Sequence, residues 1–230
     1  MAGDYFKHPT ALVETDQIGE GTNVWAYAHV MKGAVVGRHC NLGDHVFVES
    51  GAVVGDEVTI KNGVAVWAHV TVENRVFLGP NAALTNDMRP RSRQKDWTPV
   101  ATTIGEGATI GANATIVCGS HIGRWALVGA GAVVTRPVPA HAVVVGNPGR
   151  VIAFVCRCCQ TLAKRGRGWA CSGCGRAYRR DGDGLVLADA AEIAAPARRQ
   201  KTTKKTSRGR PATASPRRRS PRRAPARGSR

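Results

Sequence analysis

Hydrophobic residues return along this chain at every sixth position. Aliphatic side chains stand at Ile18, Val24, Val30, Val36, Leu42, Val48, Val54, Ile60, Val66, Val72, Leu78 and Leu84. After a break they resume at Ile104, Ile110, Ile116, Ile122, Val128 and Val134. Four residues beyond each comes a small or β-branched residue, as at Thr22, Ala28, Ala34, Cys40, Ala52, Ala82, Ala108, Ala114, Ala126 and Ala132. A helix of 3.6 residues per turn cannot hold a spacing of six on one face, and hairpins would need turn signals that alternate in direction. Short strands joined by tight corners and wound as a solenoid satisfy the pattern. The large aliphatic fills the interior, and the small residue lets the corner close onto it.

The residue after each aliphatic sets the size of one coil. Sorted in threes, the first class is followed by Gly19, Gly37, Gly55, Gly105 and Gly123, with Glu73 as the exception. The second is followed by Gly43, Gly79, Gly111 and Gly129, with Trp25 and Lys61 as exceptions. The third has no glycine: Met31, Glu49, Trp67, Thr85, Val117 and Thr135. Three classes predict three faces, hence a triangular coil of eighteen residues. Glycine is expected where the turn needs φ > 0 or close backbone approach.

The same classes measure the break. Leu84 to Ile104 is twenty residues where one step needs six, so fourteen are inserted and the glycine classes stay in phase. The segment "LTNDMRPRSRQKDWTPV" is therefore read as a loop over 85–100, extruded from one corner of an intact prism. Loops of this length inside compact domains are usually functional.

Charge alters the picture only at the end of the chain. The formal net charge is +17, but fourteen Lys or Arg and no acid lie between Arg198 and Arg230, so without that segment it is +3. Such a tail buries too little apolar surface to fold and is expected to be disordered from 189 to 230. No apolar run reaches the ~18 residues of a membrane-spanning helix, and "MAGDYFKHPT" does not read as a signal peptide. Seven cysteines, five of them in two close groups, suit a metal site in a reducing compartment better than disulfides. The expected location is the cytoplasm.

The hexad pattern resembles the hexapeptide-repeat acyltransferases, whose fold is a left-handed parallel β-helix. The likeness covers residues 8–155. It is closest to the N-acetyltransferases that act on the 3-amino group of nucleotide-linked amino sugars. The matching stretches are "HPTALVETDQIGEGTNVW", "IKNGVAVW", "VFLGPNAALTNDMRPRSR", "TIGANATIVCG" and "GAGAVVTRPVPAHAVVVGNPGRV". The resemblance implies a homotrimer with each active site between two prisms, acetyl-CoA as co-substrate and a UDP- or dTDP-linked amino sugar as acceptor, in surface polysaccharide synthesis.

It also implies roles for individual residues. Asn86 would contact the sugar amine, and Arg91 would meet substrate phosphates or a carboxylate, which suit a guanidinium fork. Asp87 has two open readings, substrate contact or a turn residue capping the loop backbone. Gly129, Ala130 and Gly131, then Gly146, Asn147 and Pro148, match the stretch that lines CoA, and Arg150 could meet a CoA phosphate. The Asn86 amide is neutral and cannot act as a base, but it can accept an N–H and aim the nitrogen lone pair. A sugar amine titrating near about 8 is partly free at neutral pH, so a base is not required. Relatives of this fold often use a histidine base. His29, His39, His45, His69 and His121 all fall at outward or turn positions, and His121, in a coil beside the presumed thioester, is the candidate among them. The same fold hosts carbonic anhydrases that need two histidines five apart, a spacing absent here.

Beyond Val155 the hexads end and "CRCCQTLAKRGRGWACSGCGRAY" begins. Two cysteine groups about a dozen residues apart suit a tetrahedral zinc site, so 156–188 is read as a small zinc ribbon. Cys171 and Cys174 form one half. The other half is open: Cys156 with Cys159 gives the usual spacing, whereas the parallel of Cys158-Cys159-Gln160-Thr161-Leu162 with Cys174-Gly175-Arg176-Ala177-Tyr178 selects Cys158. Cys40 and Cys118 are read as packing residues. Two rivals to the N-acetyltransferase reading are O-acylation or another acyl donor, which stays within enzymes, and a non-catalytic trimeric scaffold. In the scaffold, ribbon and tail would contact nucleic acid or an anionic surface without sequence preference.

Overall fold

The computed structural model describes residues 4–194. The tail expected from Arg198 onward lies outside the described residues. The hexad zone forms a parallel solenoid with three sheets, one for each class of aliphatic. Val24, Leu42, Ile60, Leu78, Ile110 and Val128 stack in register on one face. Val30, Val48, Val66, Leu84, Ile116 and Val134 stack on the next, and Ile18, Val36, Val54, Val72, Ile104 and Ile122 on the last. All eighteen are at most 4% exposed. The corner residues are buried too, Thr22, Ala34, Cys40, Ala52, Ala108, Ala114 and Ala132 completely. Cys40 fills a corner slot with its thiol 3.0 Å from the Gly55 carbonyl, and burial raises its pKa. It is a packing residue.

The corners assign the two uses of glycine to different positions. Glycines that follow the core aliphatic are needed for close approach: a Cβ on Gly37 would lie 2.4 Å from Asp56 Oδ1 and 2.5 Å from the Gly55 carbonyl carbon in the next coil. Positive φ is required two residues later. That position is held by Gly33, Gly51, Gly63 and Gly119, but also by Tyr27, His39, His45, His69, Asn81 and Asn113. Asn and His tolerate this left-handed region better than most residues. Three of the five candidate histidines, His39, His45 and His69, are therefore corner formers, as is His141 at the last corner.

Register confirms the length of the insertion. Ala65 pairs Ala83 at an offset of eighteen, and Ala83 pairs Thr115 at thirty-two, an excess of fourteen. Coils on either side of the extruded loop thus stack as though it were absent.

The solenoid extends slightly beyond the hexads at both ends. Phe6–Lys7 pairs with Asn23–Val24. At the other end Ala142–Val145 joins the Leu127–Val128 strand, then turns back as Arg150–Phe154. This hairpin leads into a four-stranded antiparallel sheet of Ala163–Arg165, Gly168–Ala170, Ala177–Asp181 and Gly184–Ala188. A short helix, Ala190–Ala194, follows in a stretch that the sequence reading assigned to the tail. Its Ile193 is 5% exposed. It closes over Gly168, where a Cβ would come within 2.3 Å of the Ile193 side chain. Arg167 N donates to Ile193 O at 3.2 Å and Arg179 Nε lies 3.6 Å from Glu192, contacts across the sheet that composition does not reveal.

Candidate active site

The loop is tied at its neck. Val100 N donates to the Asn86 carbonyl at 2.8 Å, so the chain leaves and returns at one point. Below it, Trp67 Nε1 donates to Leu84 O at 2.7 Å, and Cys118 N donates to Thr85 Oγ1 at 2.9 Å. Asn86 thus sits at a braced position although the residues beyond it project into solvent. Trp67 and Thr85, which brace it, went unnoticed in the sequence; their only signal was that both stand in the glycine-free class.

Asp87 Oδ1 accepts the Arg89 amide at 2.8 Å, which is the turn-capping role. Arg91 is exposed, its Nη1 donating only to the Pro90 carbonyl at 3.0 Å. Met88 and Trp97, 57% and 41% exposed, carry apolar surface at the loop's outer part.

His121 lies one coil further on. Gly119, in the corner before it, donates to Ala101 O at 3.1 Å and lies against Val100. The loop neck and His121 therefore share one edge of the prism on successive coils, and the exposed imidazole faces outward. It lines a groove with Arg124, Pro139, Asp181 and Asp183, the last two from the appended sheet. His29 also faces outward, 3.3 Å from Glu14.

The residues matched to CoA gather elsewhere. Gly129, Ala130 and Gly131 form the corner before the Val133–Val134 strand. Gly146, Asn147 and Pro148 form the tip of the last hairpin beside that corner, with a cis Asn147–Pro148 bond. Val133 N donates to Gly146 O at 3.0 Å and Gly149 N to Val133 O at 2.7 Å, fixing the tip to the solenoid. Arg150 is exposed, bonding only to Gly149 O. Because Ala83–Leu84 and Val133–Val134 belong to one parallel sheet, the loop leaves from its C-terminal edge and the CoA-matched corner lies at its N-terminal edge. A single chain does not bring Asn86 and this corner together.

The cysteines do converge. The sulfurs of Cys156, Cys158, Cys171 and Cys174 all lie within 4.8 Å of one another. Cys156–Cys174 is 3.4 Å, and Cys158 is 3.5 Å from both Cys171 and Cys174. A tetrahedral ion with Zn–S bonds of about 2.3 Å needs sulfurs about 3.8 Å apart, so the set fits such an ion. Cys159 is excluded from the set. It has φ +66, matching Gly175 at +74 in the other knuckle, and serves as a turn residue. The sulfurs that lie together are thus those the parallel between the two knuckles selects, with Cys158 in place of Cys159. The Arg176 amide holds Cys174 down at about 6. The Gln160 amide favours the Cys158 thiolate, but Cys174, Cys156 and Cys171 outweigh it and push Cys158 up to about 12. Two residues of this centre escaped the sequence reading: Tyr178, whose hydroxyl is 3.1 Å from Cys156 Sγ, and His141 against its ring.

A family model, bacterial transferase hexapeptide (six repeats), matches residues 17–50 and 101–136. The dTDP-3-amino-3,6-dideoxy-alpha-D-galactopyranose 3-N-acetyltransferase of Aneurinibacillus thermoaerophilus is 44% identical over 181 residues, 79% of this chain and 93% of that protein. The chain belongs to the hexapeptide-repeat acyltransferases. A 2,3,4,5-tetrahydropyridine-2,6-dicarboxylate N-acetyltransferase of Staphylococcus aureus (strain JH9) is 44% identical over 77 residues, 34% of this acyltransferase and only 30% of that protein. Among solved structures, a GDP-perosamine N-acetyltransferase variant of Caulobacter crescentus, in complex with CoA and GDP-perosamine, is 26% identical with a TM-score of 0.45. That match covers 66% of this acyltransferase and 57% of that chain. No helix among its described residues is long and apolar enough to cross a membrane.

Proposed function

We propose that this acyltransferase moves the acetyl group of acetyl-CoA onto the amine of a nucleotide-linked 3-amino sugar, with a dTDP-linked 3-amino-3,6-dideoxyhexose as the first substrate to test. The observation that carries the reading is the 44% identity to a 3-N-acetyltransferase, which runs over 79% of this chain and 93% of that protein. The prism supplies positions, and the braced Asn86 aims the amine. Its side-chain oxygen would accept one N–H and hold the nitrogen lone pair toward the thioester carbon. The new C–N bond forms as the C–S bond breaks, and the amine's surplus proton goes to the departing thiolate or to water. An amine titrating near about 8 is free often enough that no base is needed. Exposed His121 is then a secondary candidate. A backbone N–H would meet the charge developing on the carbonyl oxygen.

A homotrimer is part of the proposal. Asn86 and the Gly129–Gly131 corner stand on opposite edges of one sheet, so one chain's loop would complete the site at its neighbour's CoA corner. Exposed Met88 and Trp97 give that loop apolar surface to bury. Asp87 and Arg91 would then face the nucleotide part, with Arg150 toward a CoA phosphate. The four thiolates would hold Zn2+ as a structural ion, supplying stability that so small a sheet lacks by itself. Reduced thiols and nucleotide-sugar chemistry fit the cytoplasm.

Thermal unfolding with CoA, with dTDP- and UDP-amino sugars, and with DNA at two salt concentrations tests this reading. Stabilisation by CoA and by one nucleotide sugar supports it. Stabilisation by DNA alone would overturn it in favour of a scaffold.

A further inference from the structure

Tyr178 is 0% exposed, and its hydroxyl meets two groups, Cys156 Sγ at 3.1 Å and the Arg157 amide nitrogen at 3.2 Å. An amide nitrogen only donates, so the tyrosine oxygen accepts there. Its own proton is left to the sulfur, which must then offer a lone pair. The ring of the same tyrosine stands edge-on to His141, with centroids 4.8 Å apart. His141 is 3% exposed, and its Nδ1 lies 2.8 Å from the Val155 carbonyl. A carbonyl only accepts, so Nδ1 carries the proton. Val155 N returns a bond to His141 O at 2.8 Å, and Leu185 N donates to Ala140 O at 3.2 Å. The segment that carries Cys156 is thus laced to the last corner of the solenoid at Ala140 and His141.

We propose that Tyr178 is the outer-shell donor of the metal centre and that, through His141, metal loading and docking of the appended sheet onto the last coil are one event. The inference rests on the reading that the four sulfurs hold a metal ion. With an ion bound, Cys156 Sγ stays where the hydroxyl can reach it. Without one the sulfurs separate, the buried hydroxyl loses its acceptor, and the ring no longer braces His141. A buried polar group stripped of its partner is costly, so the docked arrangement is favoured only when loaded. Outer-shell partners of metal ligands set affinity by about 10–100-fold.

The test uses the full chain, stripped by a chelator under reducing conditions and titrated with Co2+ and then Zn2+. Sulfur-to-cobalt charge-transfer absorption gives affinity and ligand character, and amide hydrogen exchange at Val155 and Leu185 reads docking. The wild type is expected to show a thiolate–cobalt band and protection of both amides only when loaded. Tyr178→Phe is expected to bind about 10–100-fold more weakly, with a shifted band and less protection at equal loading. Cys159→Ser should match the wild type throughout. If the wild type shows no band, the metal reading fails and the inference with it. If the wild type loads but Tyr178→Phe matches it in affinity and band, the metal reading stands and the outer-shell role is refuted. Equal protection with and without metal refutes the coupling.

Discussion

Excising the extruded loop is the sharpest structural perturbation available. Removing 86–99 joins Thr85 to Val100 and brings Leu84 and Ile104 to the spacing of six that every other step has. The new corner, Thr85-Val100-Ala101-Thr102, would parallel Val117-Cys118-Gly119-Ser120. Its third residue must take the positive φ seen at Gly119 (+76) and His69 (+63), so the deletion is paired with Ala101→Gly. Closing a fourteen-residue loop costs about 2 kcal/mol in chain entropy by the logarithmic law. Against that gain stands, within one chain, the loss of the neck bond from Val100 to Asn86 and little else, because residues 88–98 are exposed; in the proposed trimer the contacts of Met88 and Trp97 with the neighbour are lost as well. As a separated chain, the shortened protein should therefore be as stable as the parent or up to about 2 kcal/mol more so in denaturant unfolding at a dilution where sedimentation shows monomers. Acetyl transfer should fall at least about 100-fold, since the residue proposed to orient the amine is gone. A variant that is destabilised by several kcal/mol, or that loses its β-sheet circular dichroism, would show that the coils on either side of the loop are not in phase.

Three further outcomes follow from individual residues. Asn86→Ala should lower turnover about 100-fold with unchanged assembly in solution, whereas His121→Ala should cost less than the 100-fold or more expected of a general base; steady-state rates and sedimentation check both. Gly37→Ala should destabilise by about 1–3 kcal/mol, because its Cβ would be driven into the Gly55 carbonyl carbon and Asp56; thermal unfolding measures it. Burial holds the pKa of His141 below its ordinary value, although its bond to Val155 works the other way. Below about 6.5 the unfolded chain binds a proton that the folded chain refuses. Stability is then lost as pH falls from about 6.5 through the lower folded value, and His141→Gln should flatten that slope in pH-dependent unfolding.

The fold was legible to the degree that it is periodic. A repeat of six with glycine classes of three is redundant over eighteen aliphatics, so three faces and a fourteen-residue insertion can be counted along the chain. The glycine rule was half right. Residues such as Gly37 serve close approach, while the left-handed corner falls two residues later, where His39, Asn81 and Tyr27 conceal it from a search for glycine. Long-range pairings were harder. The bond from Trp67 to Leu84 and the bond from Tyr178 to Cys156 join residues 17 and 22 positions apart, set by coil stacking and by the knuckle. The place of Cys158 in the sulfur cluster was readable because Cys158-Cys159 and Cys174-Gly175 open parallel segments, in which Cys159 and Gly175 both take positive φ. The helix at Ala190–Ala194 was not, because it is held by contacts across the sheet, Ile193 against Gly168 and Glu192 beside Arg179.

The central claim is transfer to nitrogen. Incubating the full chain with acetyl-CoA and a dTDP-linked 3-amino-3,6-dideoxyhexose, and reading the nucleotide sugar by mass spectrometry and NMR, tests it directly. The account predicts one added acetyl group, carried as an amide on the sugar nitrogen, with one CoA thiol released for each. An acetyl ester on a sugar hydroxyl, or release of CoA with no acetylated sugar, would contradict it.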